Sequence, residues 1–290
     1  MSFTKLIRVW HLRLMAVFRS RPKAKIYSSR PLPERKAREL FDRQGRVSGV
    51  ETLAYRGYRI IVVGCGGIGV QIAFALVMKG IAVLILFDRD RYDLANGNRQ
   101  MCLWSDLGKN KAVRLGRKLV RYALAGSRII CYPLHFDDVL TTGIKIEADL
   151  IFCGVDNNKA RLAVSDWADR NGVPCIHIAV DTVAESFSVF VQRPSEATLR
   201  CAFPNLDPNE EMPCRVPSVI DPIKSACGYA LYALDAVLQD RPIGWNLRIM
   251  HLAGFAQDGL YTIERQDACQ SEIEHNPVQN FKIREMGMKV

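Results

Sequence analysis

The chain has 290 residues, 49% of them hydrophobic and 24% charged, with a formal net charge of +10. That is the make-up of an ordinary globular protein with one large domain or two small ones. No run approaches the roughly 18 apolar residues that a membrane-spanning helix needs.

The charge is uneven: residues 1–47 carry thirteen Lys/Arg against three Asp/Glu, which leaves the body neutral. Residues 1–30 mix these bases with Trp10, Leu12, Leu14, Met15, Val17 and Phe18. The pattern suits a basic amphipathic helix for an acidic partner or an anionic membrane surface, or an extension packed on its own domain. Arg8 and Arg13 interrupt the apolar stretch and argue against a signal peptide. Pro22 and the Pro31–Pro33 segment read as a linker, so a domain is expected from 34 to 265. Residues 34–57 read as a polar helix, in which Arg43 by itself is a solvated residue.

Arg59 to Val63 is a β-branched apolar run, the pattern of a buried parallel strand. It ends in GCGGIG, with Gly64, Gly66, Gly67 and Gly69, and helical spacing begins at Ile68. Glycines permit a tight turn and close approach of backbone to a phosphate, and the helix start offers unpaired N–H groups. A second strand, Ala82 to Phe87, closes on Asp88, placed to take ribose hydroxyls. The bland alternative is that the glycines serve strand-to-helix packing alone.

About twenty polar residues follow, too long an irregular segment for a compact domain unless it is functional. They hold Asp88, Asp90, Asn98, Arg99, Gln100 and Lys111. Carboxylates for ribose and metal, with cations for phosphates, fit a triphosphate carried with Mg2+. Further on, the pattern predicts a helix from Lys111 to Ala125 and a strand from Arg128 to Tyr132. A strand from Asp149 to Val155 ends on Asp156-Asn157, at the sheet edge where open α/β folds bind ligands. A helix over Lys159–Asn171 and strands over Val173–Val180 and Phe187–Gln192 come next.

Residues 194–222 read as a long loop with six prolines, the acidic run at 207–211, Cys201 and Cys214. Ile223 to Leu238 reads as an apolar helix, Arg248 to Gly254 and Leu260 to Glu264 as late strands, and 266–290 as a polar tail. The expected class is therefore α/β, a doubly wound, Rossmann-like sheet with a cysteine-bearing loop insertion. The nine cysteines are odd in number, several lie in apolar runs, and none is spaced C-x-x-C. They suit a reducing cytoplasm better than a disulfide framework or a structural zinc site.

Assembled in order, these motifs resemble the ThiF/MoeB family, the adenylating domain of ubiquitin-activating enzymes. The likeness runs from about Arg43 to Leu238: GCGGIG, Asp88-x-Asp90, Asn96-Gly97-Asn98-Arg99-Gln100, Gly108 to Lys111, and Asp156-Asn157. Phe41-Asp42-Arg43-Gln44 stands for the family's early R-Y-x-R-Q. The resemblance implies that Asp88 holds the ATP ribose, Arg99 and Lys111 neutralise phosphates, and Asp156 helps place Mg2+. It implies that Arg43 reaches the ATP of a partner subunit in a homodimer. The implied substrate is the C-terminal glycine of a ubiquitin-like or sulfur-carrier protein. Cys214, with Cys201 as the alternative, is implied as a thioester-forming nucleophile, and a downstream conjugating enzyme could then follow. The missing C-x-x-C pairs and the basic arm depart from the cofactor-biosynthesis branch. They point to a stand-alone enzyme of a bacterial ubiquitin-like conjugation or defence operon. The competing readings are a nicotinamide-dependent dehydrogenase, a tRNA-modifying dehydratase relative and a non-catalytic partner subunit. The dehydrogenase leaves Arg99, Lys111 and Asp156 unexplained, and the neutral body argues against nucleic acid.

Overall fold

Alternation within the strands decides how the layers form. On β2 (Arg59–Val63), Ile60 and Val62 enter one hydrophobic cluster while Ile61 and Val63 enter another on the opposite face. A strand buried on both faces is continuously apolar. The computed structural model describes residues 24–47, 52–141, 144–181, 186–209, 219–251 and 261–263. The basic segment 1–23, Cys214 and the tail expected over 266–290 lie outside the described residues.

Nine strands form one sheet among these residues: β1 (Lys25–Ser28), β2, β3 (Val83–Phe87), β4 (Arg128–Tyr132), β5 (Leu150–Cys153), β6 (Cys175–Val180), β7 (Ser186–Gln192), β8 (Leu247–His251) and β9 (Tyr261–Ile263). Their order is β1-β4-β3-β2-β5-β6-β7-β8-β9. The block β4-β3-β2-β5-β6 is parallel, and antiparallel strands extend it on both sides. The helices are α1 (Glu34–Leu40), α2 (Gly67–Lys79), α3 (Lys111–Leu119), α4 (Phe136–Thr141), α5 (Asn158–Arg170), α6 (Leu199–Ala202) and α7 (Ile220–Leu238). The larger core joins one sheet face to α2, α3 and α7, and α4 and α5 pack on the other face.

Residues far apart in sequence tie α2 to α7. Lys79 Nζ lies 3.0 and 3.1 Å from the two carboxylate oxygens of Asp235, which also accepts the Tyr55 hydroxyl. Breaking such a part-buried pair leaves an uncompensated charge, which is costly.

Three expectations change. The helix expected over 34–57 is α1 followed by two 3-10 turns, Gln44–Arg46 and Thr52–Gly57. The chain breaks where Phe41 turns inward: a Cβ on Gly80 would lie 2.5 Å from its ring. Lys25–Ser28, placed with the arm, is the edge strand β1. The loop expected over 194–222 contains the short α6, and α7 begins at Ile220, with Pro222 in its first turn where a missing N–H costs nothing.

Candidate active site

The chain runs from β2 outward to β3 and β4, then returns to the other side of β2 as β5. The crevice between β2 and β5 is thus the switch point where open α/β sheets bind ligands at the carboxyl ends of their strands. The glycine turn leaves β2 there, Asp88 leaves β3 and Asp156 leaves β5.

The glycine turn has steric reasons. Gly64 has φ +89°, the left-handed region that favours glycine. A Cβ on Gly69 would lie 1.7 Å from the Gly64 carbonyl oxygen, so the helix can start this close to the strand only without a side chain. Gly66 caps α2 without a side-chain hydrogen bond. The first N–H groups of a 13-residue helix are left to a ligand, with the positive end of its dipole.

Asp88 closes the turn. Its Oδ2 accepts the Cys65 backbone N–H at 2.7 Å, and its Oδ1 accepts that of Asp90 at 2.7 Å. Burial raises its carboxyl above the ordinary range; the Cys65 N–H, the Lys111 ammonium and the Asp90 N–H oppose this. Cys65 is buried, and burial, with Asp88 nearby, pushes its thiol well up, so it is no nucleophile.

Asn110, which sequence reasoning passed over, staples this corner. Its Nδ2 donates to the carbonyls of Asp88 (2.8 Å) and Asp90 (3.1 Å), while its Oδ1 caps α3 by accepting the Val113 N–H at 3.0 Å. An Asn just before a helical run is the available signal. Lys111 follows on the first turn of α3, its Nζ 3.3 Å from Asp90 Oδ2.

The polar segment after Asp88 is ordered by a second missed residue. Asp106 is fully buried and accepts Arg114 Nε at 2.5 Å, Lys118 Nζ at 2.5 Å and the Leu103 N–H at 3.0 Å. Burial pushes its carboxyl up, but these donors more than offset that and hold it below the ordinary range. Asn96 is also structural, accepting the Asp93 N–H at 3.1 Å. Arg99 donates through Nη1 to the Ala95 carbonyl (2.7 Å) and Asn98 Oδ1 (2.9 Å). Its stem runs past the glycine turn: a Cβ on Gly67 would meet Arg99 Cγ at 3.7 Å. Gln100 reaches Gly66 from the same side, and its Oε1 is buried without a partner.

Asp156 is exposed just beyond β5, and Asn157 caps α5 by accepting the Ala160 N–H at 2.8 Å. Behind them Arg161 is lowered from its ordinary range by burial, opposed by Cys153 and Asp156.

The structure therefore brings together Gly64, Gly66, Gly67, Gly69, Asp88, Asp90, Asn98, Arg99, Gln100, Lys111, Asp156 and Asn157 at one sheet edge. It does not bring Arg43 there. Arg43 is exposed in the turn after α1, whose Phe41 packs at Gly80, past the far end of α2. A helix of this length spans about 20 Å. Cys201 is disulfide-bonded, which removes the free thiol it would need as the alternative nucleophile and runs against the expected reducing setting; the other six described cysteines are free.

Among the described residues no group of three or more His, Cys, Asp or Glu side chains is placed to hold a metal. The two exposed carboxylates beside the glycine turn, Asp90 and Asp156, fit a Mg2+ ion that keeps water and phosphate ligands.

Fold and site together define an α/β domain with a doubly wound sheet whose glycine turn is flanked by an arginine and a lysine. A family model described as the ThiF family matches residues 41–270, and the chain belongs to that family. Among curated relatives, ubiquitin-like modifier-activating enzyme 5 of Xenopus laevis is 30% identical over 174 residues, 56% of this chain and 43% of that protein. The sulfur carrier protein adenylyltransferase of Thermus thermophilus is 27% identical over 219 residues, 72% of this chain and 80% of that protein. The structure of E. coli MccB with MccA-N7isoASN has a TM-score of 0.64 at 17% identity, covering 76% of this chain and 68% of that one, a likeness of fold. The chain spans about half the length, or less, of the first curated relatives it matches. No helix among the described residues is long and apolar enough to cross a membrane.

Proposed function

We propose that the chain adenylates the C-terminal glycine of a ubiquitin-like or sulfur-carrier protein with ATP. The observation that carries this reading is the convergence of the uncapped α2 N-terminus, Asp88, Arg99, Lys111 and Asp156 on one crevice. A carboxylate oxygen of the carrier attacks the α-phosphorus, the bond to the bridging oxygen breaks, and pyrophosphate leaves. No side-chain nucleophile is needed: holding the reactants in line and neutralising phosphate charge lower the barrier.

Asp88 accepts the ribose hydroxyls. The α2 N–H groups, Arg99 and Lys111 hold phosphates, with Asn98 and Gln100 as amide neighbours. Asp156 and Asp90 are the carboxylates that would hold Mg2+, which supplies further charge neutralisation when bound. Arg43 serves the site of a second copy, a role supported by its distance from its own glycine turn. Exposed Leu94, Leu103 and Trp104 on the polar segment supply apolar surface for such a homodimer. Acyl transfer to Cys214 and hand-over to a conjugating enzyme would follow adenylation in a cytoplasmic setting.

The test is ATP–pyrophosphate exchange with a panel of ubiquitin-like and sulfur-carrier proteins. Exchange should require the carrier's C-terminal glycine and fall at least about a hundredfold in Asp156→Ala, the scale of losing a charged transition-state contact. Tight nicotinamide nucleotide binding without exchange for any carrier would overturn the reading in favour of a dehydrogenase.

A further inference from the structure

A cleft of about 320 Å³ opens between α2, α7 and the polar segment. Its polar wall is Gln71, Asn98, Arg99, Gln100 and Lys224, and among the described residues no carboxylate lines it. Two cations and three amides without an acid make a surface that favours an anion.

Arg99 and Gln100, which line the cleft, also lie beside the glycine turn. Ile223 and Arg99 close over the start of α2: a Cβ on Gly67 would lie 2.7 Å from Ile223 Cδ1 and 3.7 Å from Arg99 Cγ. Gln100 lines the cleft, a Cβ on Gly66 would lie 3.9 Å from its Nε2, and its buried Oε1 is unpartnered. Lys224, next to Ile223, is exposed and forms no ion pair among the described residues. Asp221 lies one turn earlier on α7 but does not line the cleft. A phosphate chain anchored at the α2 N-terminus thus has a continuation free of negative charge among the described residues, along Arg99 towards Lys224.

We propose that Lys224 binds the β- and γ-phosphate end of the nucleotide and the departing pyrophosphate, making the α7 start part of the phosphate site. This rests on the nucleotide reading above. The sequence gives no hint of it, because Lys224 sits in a mostly apolar helix more than 120 residues after Arg99.

The experiment is calorimetric binding of ATP, AMP and pyrophosphate, with Mg2+ present, to the full chain and to Lys224→Gln and Lys224→Arg. ATP and pyrophosphate should each bind Lys224→Gln about tenfold more weakly, the loss expected for one charge-assisted hydrogen bond. AMP binding should stay within twofold, and Lys224→Arg should recover most of the affinity. Unchanged ATP and pyrophosphate affinity in Lys224→Gln overturns the inference alone. So does a parallel loss of AMP, or a loss confined to a carrier protein's binding. Wild type that binds neither ATP nor pyrophosphate overturns the nucleotide reading as well.

Discussion

His177, on β6, shows what burial does to a titratable group near the crevice. It is only 3% exposed, its Nε2 lies 3.4 Å from Gln192 Oε1, and its Nδ1 has no partner. Burial, with the nearby Arg161 charge, pulls its pKa down to about 3, against a small opposing effect of Gln192. The folded state therefore binds fewer protons than the unfolded one between its folded value and about 6.5. Stability is present above that upper limit and lost as pH falls, at up to about 1.4 kcal/mol per pH unit. His177→Gln should flatten this acid limb between about pH 6 and pH 4 in urea titrations. An unchanged slope would assign the acid sensitivity elsewhere.

At the scale of elements, the polar segment and α3 form one unit through Asp106. Asp106→Ala strands Arg114 and Lys118, both largely buried, and should cost about 3–5 kcal/mol in chemical denaturation. It should also weaken ATP binding, because the same segment carries Arg99. A loss below about 1 kcal/mol would mean that water replaces the carboxylate. None of this was legible from sequence: one acid in a polar run is ordinary until α3 brings two cations to it. By contrast, the parallel strands and glycine turn were legible, because burial on both faces writes an unbroken apolar run and close backbone contact demands glycine. The edge strand β1 was not, since its short exposed segment, one residue half-buried and three exposed, has no apolar run to read. The break after α1 depended on Phe41 meeting Gly80, a contact between residues 39 positions apart that local pattern does not encode.

At the scale of the molecule, the separation of Arg43 from its own crevice predicts complementation between subunits. Arg43→Ala and Asp156→Ala should each be inactive alone. Mixed after unfolding and refolding together, they should recover about a quarter of the wild-type sites, since half of random dimers are mixed and each holds one intact site. No recovery would place Arg43 within its own chain's chemistry or outside it altogether.

The tie from Tyr55 and Lys79 to Asp235 bears on how the protein is made. A ribosome releases the glycine turn, Asp88 and Arg99 long before α7 emerges, so the helix that carries the cradle waits without its buttress and with apolar surface uncovered. Contacts this distant in sequence close last, after their loop entropy has been met. The glycine turn is thus buttressed only once α7 has emerged, and fragments released before α7 become clients for chaperones and proteases.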